Sequence, residues 1–271
     1  MPLWSRPELL RRSDEWFLQR QLNATSHTAR QGYKGTRWGK MLGESNMHGV
    51  GRGEKALMYW ESPNNINPGL VWHQPHVIYM SELEYRAAPN ATAKNDVLQR
   101  LKGIVESTAE FIADFPERRI GTGTDGKYLD LGPPLVSASE GEGPYDVWNP
   151  TYELTQFNFS LDIANHWRER LELGRNQHWD DVRLQLAPLP ITAAGPSGKR
   201  TYNRHQNCLP SVFAGGGTHG GKTQHCSGAN SHPALTGAMG CLPGDQYGVD
   251  RTVMNNTLFE TLRVWNWAGC W

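Results

Sequence analysis

The sequence predicts a mainly α-helical protein whose helices are joined by unusually long loops. Several segments repeat apolar residues every three or four positions, which is the spacing of one helix face. No segment of useful length alternates apolar and polar residues as a half-buried strand does. The stretches between the helical segments are long and rich in Gly, Asn and Pro, and such loops are uncommon unless they serve a function.

The first half of the chain predicts three helices. Residues 7–30 form the first, because their apolar residues recur at helical spacing. After a long Gly-rich loop, a second helix runs from Pro75 to Arg86, with proline in the first turn, where a missing N–H costs no hydrogen bond. Residues 92–115 carry one apolar stripe and form the third helix. A short extended piece over 127–138 follows.

The second half of the chain predicts four more helices. A long amphipathic helix covers 151–173, and a shorter one over 176–190 is ended by its prolines. Residues 191–230 are poor in apolar side chains and rich in Gly, Asn and His, so we interpret them as a divergent loop. The last two helices cover 232–243 and 251–267.

Length, charge and composition narrow the class of protein. A chain of 271 residues allows one large domain or two small ones. A net charge of +0 argues against nucleic acid or an anionic membrane as the main partner. No apolar run approaches the roughly 20 residues of a membrane span, and the N-terminal segment lacks the apolar core of a signal peptide. Many of the 11 Trp residues lie in loops, where flat aromatic rings suit sugar faces. The compartment stays open.

Paired helices joined by long loops that carry acids and aromatic residues are typical of a helical toroid. In that architecture the helices bury each other's apolar stripes, and the loops at one rim build a cleft. A closed ring of six helical hairpins needs about twelve helices, and this chain predicts about seven. We therefore expect one partial domain over 1–271, whose ring a missing segment or self-association would complete.

Several blocks of sequence follow one another in a familiar order. They read GYKGTRWGKM, LVWHQPHVIYMSELEYR, EGEGPYDVWNPTYELTQFNFSLDIANHWRERL, HPALTGAMGCLPG and TLFETLRVWNWAGCW. These blocks cover most of the chain outside 191–230 and resemble the six-hairpin (α/α)6-barrel glycosidases related to trehalose- and maltose-processing enzymes. The resemblance implies an (α/α)6 toroid that acts on an oligosaccharide or glycoside, with no metal or organic cofactor. In that family further helices follow, whereas this chain ends at Trp271, so we expect an incomplete catalytic domain.

Three carboxyl groups are candidates for the chemistry of glycoside cleavage. The reaction needs one protonated carboxyl for the leaving oxygen and one carboxylate as base or nucleophile. Glu140 and Glu142 are two positions apart, next to Gly141 and Gly143, and Tyr145 and Trp148 offer an apolar wall. The resemblance places Glu142 nearest the family's catalytic acid. Glu153, in the first turn of the next helix, is the competitor. The alternatives are a solvated loop acid for Glu142 and a dipole-favoured helix-start acid for Glu153.

The catalytic base has less support in the sequence. Relatives are expected to carry it beyond the end of this chain or just before the HPALTGA block, and no acid immediately precedes His232 here. Asp250 is available as a substitute. The relatives usually invert in a single step, and a phosphorolytic variant would use phosphate instead of water. If the base is missing, the alternative is a carbohydrate-binding remnant that hydrolyses nothing.

Two further loops supply candidate side chains for sugar binding. Hydrogen-bonding candidates are Arg37, Lys40, Glu61, Gln74 and His76, and stacking candidates are Trp38, Trp72 and Trp148. The alternative is that Trp38 and Trp72 fill the core and that His76 serves a buried backbone carbonyl.

A structural zinc site is a rival interpretation from another class. The Gly/His-rich region and its end contain six potential zinc ligands, His205, Cys208, His219, His225, Cys226 and His232. Their spacing matches no standard zinc finger, so a flexible insertion is favoured over a metal site. A helical repeat scaffold is set aside because the sequence has no internal period.

Overall fold

The computed structural model describes residues 6, 8–44, 59–61, 66–117, 124–138, 140, 143–192, 198–207 and 246–264. This part of the chain is mainly helical, as the sequence predicts. Its α-helices are α1 (Glu8–Arg30), α2 (Pro75–Ala87), α3 (Ala91–Glu117), α4 (Thr151–Arg170), α5 (Gln177–Gln185) and α6 (Arg251–Val264). Its strands are β1 (Leu42–Glu44), β2 (Tyr59–Glu61), β3 (Ile191–Thr192) and β4 (Thr201–Tyr202). Of the described helices, none combines the length and apolar character needed to cross a membrane.

The helices lie close to their predicted positions, with one informative difference. The predicted helix over 176–190 ends early, at Gln185. Its following residues leave the helix to pair with the predicted extended piece, since Leu129 N–H donates to Gln185 O at 2.7 Å and Ala187 N–H donates to Leu129 O at 3.0 Å. A long-range pairing therefore ends this helix before its prolines do. The predicted helix over 232–243 lies outside the described residues.

Two short antiparallel hairpins were not expected from the sequence. Strands β1 and β2 pair with Leu42 opposite Glu61, inside what the sequence predicts as one long loop. Strands β3 and β4 pair with Ile191 opposite Tyr202. Strands of two or three residues are too short to show an alternating pattern, which explains why the sequence gives no sign of them.

The described residues belong to two compact units. Unit one comprises those within 1–68, 73–118 and 160–184. Helices α1, α2 and α3 pack against one another there and bury the predicted stripe of α3, including Leu101 and Ile104.

Unit two comprises the described residues within 69–72, 119–159 and 185–271. One apolar cluster of this unit consists of Tyr202, Val249, Val253 and Met254, with Leu189 packed against it. The phenol oxygen of Tyr202 accepts a hydrogen bond from Asp250 N–H at 2.7 Å. This cluster joins the β3–β4 hairpin to α6.

Candidate functional site

The carboxylates predicted for catalysis fall in unit two or outside the described residues. Glu142 lies outside them. Glu140 is partly exposed and adopts a left-handed backbone with φ of 56°, and its N–H donates to Ser137 O at 2.9 Å. Glu153 lies in the first turn of α4, where the sequence predicts it. Unit two therefore holds both described members of the set.

Glu153 is a carboxyl group enclosed by protein. Its side chain belongs to a residue that is only 1% exposed, and its Oε1 accepts a hydrogen bond from Ala138 N–H at 2.7 Å. Burial raises the pKa of Glu153 to about 7, against the opposing effect of the backbone N–H donors of Glu153 and Ala138. Such a group is partly protonated at neutral pH, so it can both give and take a proton there.

The segment that leads into α4 is held by the side chain of Asn149. This buried residue has a left-handed backbone with φ of 50°. Its Oδ1 accepts from Leu131 N–H at 2.8 Å, and its Nδ2 donates to Asp130 Oδ1 at 2.7 Å and to Gln206 Oε1 at 2.6 Å. One side chain thus ties three separate segments together, four residues before Glu153.

A second set of hydrogen bonds fixes the same segment to residues 203–207. Thr151 N–H donates to Arg204 O at 2.8 Å, and Gln206 N–H donates to Trp148 O at 2.8 Å. Trp148 N–H donates in turn to Asn207 Oδ1 at 3.1 Å. These residues belong to the stretch interpreted from the sequence as a divergent loop, and polar residues of this kind carry no local signal of a distant partner.

Substitutions at Asn149 should separate its backbone role from its side-chain role. Asn149→Gly keeps the left-handed backbone without strain but loses the amide, whereas Asn149→Ala also adds a steric cost of roughly 1–2 kcal/mol. We expect both to be destabilising, and alanine to cost about 1 kcal/mol more than glycine, measured as the free energy of unfolding in urea. Equal losses would mean that the left-handed conformation is not imposed by the fold.

Two aromatic residues, Tyr145 and Trp148, lie on the loop of unit two that leads into α4. Tyr145 is 74% exposed, and Trp148 is partly exposed. The Trp148 ring lies so close to Gly132 that a Cβ at this glycine would overlap it. Trp72, predicted to stack on sugar, is also partly exposed. It lies two positions after Leu70, which forms an isolated parallel β-bridge with Val136. Tyr145 is the most exposed of these rings.

Arg37 and Glu61 bind each other in unit one. The Arg37 guanidinium is buried and makes two parallel hydrogen bonds to the Glu61 carboxylate, at 2.8 and 2.7 Å, and a third to Asn67 O at 2.7 Å. His27 Nε2 lies 3.2 Å from Glu61 Oε2. Burial by itself raises the pKa of Glu61, but the hydrogen bonds and charge of Arg37, with a smaller contribution from His27, bring the pKa below its ordinary value.

Trp38 and Gln74 are likewise bound to each other in the interior of unit one. Trp38 N–H donates to Gln74 Oε1 at 2.7 Å, and Gln74 Nε2 donates to Trp38 O at 2.6 Å. The Trp38 indole N–H donates to Thr108 Oγ1 at 3.0 Å. His73, which the sequence did not single out, lies 2.8 Å from Trp38 O, and burial lowers its pKa to about 4. This geometry agrees with the alternative in which Trp38 fills the core.

The remaining predicted sugar-binding side chains of unit one are less enclosed. Lys40 is partly exposed. His76 lies in the first turn of α2, and burial lowers its pKa. Whether any of the candidate side chains binds sugar stays a prediction.

Asp250, the acid considered as a substitute base, caps a helix. Its Oδ1 accepts from Thr252 N–H at 2.8 Å and from Val253 N–H at 3.0 Å, at the start of α6. An aspartate in this position satisfies backbone donors that the helix itself leaves open. Asp250 therefore has a structural role in this structure.

Of the candidate zinc ligands, the structure describes His205 alone. This buried histidine has its Nδ1 3.2 Å from Asn207 Oδ1, and burial lowers its pKa to about 4. Among the described residues, no group of three or more His, Cys, Asp and Glu side chains is arranged to hold a metal ion. The other five candidates lie outside that part of the chain.

No protein-family model matches this chain, and no curated protein matches it.

Proposed function

We propose that the chain is a glycoside hydrolase-like protein that cleaves an O-glycosidic bond by carboxylate acid/base catalysis, with Glu153 as the general acid. The observation that carries this proposal is a buried carboxyl whose pKa is raised to about 7 in a motif of acids and aromatic residues. A general acid works best when its pKa lies near the working pH, and burial is a means of achieving that.

In the proposed reaction, Glu153 gives its proton to the glycosidic oxygen as the bond from that oxygen to the anomeric carbon breaks. A second carboxylate takes a proton from the water that attacks this carbon from the other face. Glu140 and Glu142 are the candidates for that second group, and Glu142 is also the alternative acid. Because Glu153 is enclosed, the turn at Ser137–Ala138 must move away from its carboxyl when substrate binds.

The fold proposed for this chemistry is an incomplete (α/α)6 toroid. Its support is the mutual packing of α1, α2 and α3 and the long connections between helices. A second copy or a further segment would complete the ring. The proposed substrate is an oligosaccharide or glycoside, and Tyr145 and Trp148 offer ring faces for stacking.

A second candidate function is carbohydrate binding without hydrolysis. The enclosure of Glu153 combined with the exposure of Tyr145 favours this alternative, because a stacking surface is available while the acid is not. The two proposals both predict sugar binding, and they differ in whether the bound sugar is hydrolysed.

The test is to follow thermal unfolding of the 271-residue chain with a panel of oligosaccharides and aryl glycosides, and to assay sugar release in the same samples. A ligand that binds only the folded state raises its stability, by about 2.7 kcal/mol at a hundred times its Kd. We expect one sugar to raise the unfolding temperature and to be hydrolysed. A rise without hydrolysis would support the binding function, and no rise with any sugar would contradict both proposals.

A further inference from the structure

Two buried acids from different helices meet inside unit one. Asp14 of α1 is 0% exposed and Glu84 of α2 is 8% exposed, and a side-chain hydrogen bond joins the two carboxyl groups. Arg100 of α3 donates a hydrogen bond to Glu84 Oε1. Since α1, α2 and α3 pack directly against one another, this group of three side chains lies where the three helices join.

The charges of this group do not balance when both acids are ionised. Two carboxylates then face one guanidinium, with Asp14 fully buried and the side chains of Glu84 and Arg100 10% and 24% exposed. An uncompensated buried charge is strongly unfavourable. In that state both Asp14 oxygens and Glu84 Oε2 are buried acceptors to which no group in the described part of the chain donates. A proton on one carboxyl turns it into a donor for the other and removes the excess charge.

We propose that Asp14 and Glu84 share one proton in the interior of unit one, and that loss of this proton at alkaline pH loosens α1 from α2 and α3. Among the described residues, the other charged groups near Asp14 are Arg100 and, on α1 itself, the exposed Glu15. Strand β2 also contacts α1, but its charged residue Glu61 is bound to Arg37 and to His27 in the last turn of the helix. Glu61 is therefore not a partner for the shared proton, which lies at the junction of α1, α2 and α3.

The direction of the pH dependence follows from the raised pKa of Asp14. Burial is the main cause that raises the pKa of Asp14 to about 8, with Glu84 adding to the rise and Arg100 opposing it. A group whose folded-state pKa is raised stabilises the fold fully below its ordinary pKa, and this contribution is lost as the pH rises through the folded-state value. The loss therefore spans the range from about pH 4 to about pH 8.

The arrangement is a poor site for a metal ion, which is the other way to neutralise two acids. A positively charged guanidinium already binds one of the carboxylates, and the described part of the chain brings only two buried acids together here, whereas calcium takes 6–8 oxygen ligands. A proton needs no such ligand set and fits between two carboxyl oxygens. The experiment nonetheless has to distinguish the two.

The test is hydrogen–deuterium exchange of the α1 amides in the full chain at pH 6 and pH 9, expressed as protection factors that remove the intrinsic effect of pH. We expect the protection of α1 to fall by about tenfold or more between these values. In Asp14→Asn, where an amide donor replaces the proton, the fall is expected to disappear. Glu84→Gln provides the same test through the partner, should Asp14→Asn fail to fold.

The matched control is Glu15→Gln, which removes an exposed acid from the next position of α1 and should keep the wild-type fall in protection. The ¹³C shift of the Asp14 carboxyl, followed against pH in the unmodified chain, should report an apparent pKa near 8. A carboxyl that ionises near pH 4 would overturn the proposal. Protection at pH 9 that is restored by adding calcium or sodium would overturn it in favour of a cation site.

Discussion

Replacing Arg37 by methionine is expected to destabilise unit one by about 3–5 kcal/mol, because it leaves the Glu61 carboxylate buried without its main cation. The methionine fills much of the volume of the lost side chain, so the loss reports charge rather than a cavity. The measurement is urea unfolding followed by tryptophan fluorescence. Trp38 follows Arg37 in the sequence and is itself buried, so its emission should respond to this change.

Two further variants make this measurement decisive. Adding Glu61→Leu to Arg37→Met removes both charges, and the double variant should recover most of the lost stability, since apolar pairs often replace buried ion pairs without cost. Lys34→Met is the matched control, because this lysine lies in the same loop, is 63% exposed and is expected to change stability by no more than about 1 kcal/mol. If Arg37→Met unfolds like the wild type but loses sugar binding, the sequence-based role as a sugar ligand is supported instead.

The helical part of the fold could be predicted because its signal is local. The apolar stripe of α3 repeats along its own sequence, and Pro75 marks the start of α2 within one turn. The end of α5 could not be predicted, because it depends on a pairing with Leu129, far away in the sequence. The β1–β2 hairpin is also beyond such reasoning, because three-residue strands have too few positions to alternate.

The candidate site was predictable in its residue types and much less so in their environments. The sequence singles out Arg37 and Glu61, but it does not predict that they bind each other across 24 positions. It also singles out Glu153 but does not predict that this residue is buried. Asp14 is a different case, since a signal was available. It follows Leu10 by four positions and precedes Phe17 by three, which places an acid on the apolar face of α1.

Replacing Glu153 by glutamine is expected to lower glycosidase activity by about 10²–10⁴-fold, the usual contribution of a positioned general acid. Glutamine has nearly the same shape and keeps an oxygen that can accept from Ala138 N–H, so the start of α4 should remain folded. It cannot supply a proton. The measurement is kcat/KM on the glycoside that the panel identifies as substrate, for the wild type and for the variant.

The pH dependence gives the same variant a second, independent readout. A general acid acts in its protonated form, so wild-type activity should fall as the pH rises through about 7, the pKa to which burial raises Glu153. Wild-type stability should fall between about pH 4.3 and about pH 7, because a raised folded-state pKa favours the fold fully only below the ordinary value and no longer above the folded-state value. Glu153→Gln should lose this part of the pH dependence of stability.

Glu169→Gln serves as the matched control, since Glu169 lies on α4 with a side chain 42% exposed and should leave kcat/KM unchanged. The two readouts together separate a catalytic acid from a buried structural one. Activity that survives in Glu153→Gln, while the pH dependence of stability disappears, would make Glu153 a structural acid and transfer the proton donation to Glu142 or Glu140. If Glu153→Gln loses activity and also loses the pH dependence of stability, Glu153 is the group that donates the proton. Burial alone changes stability and does not produce turnover.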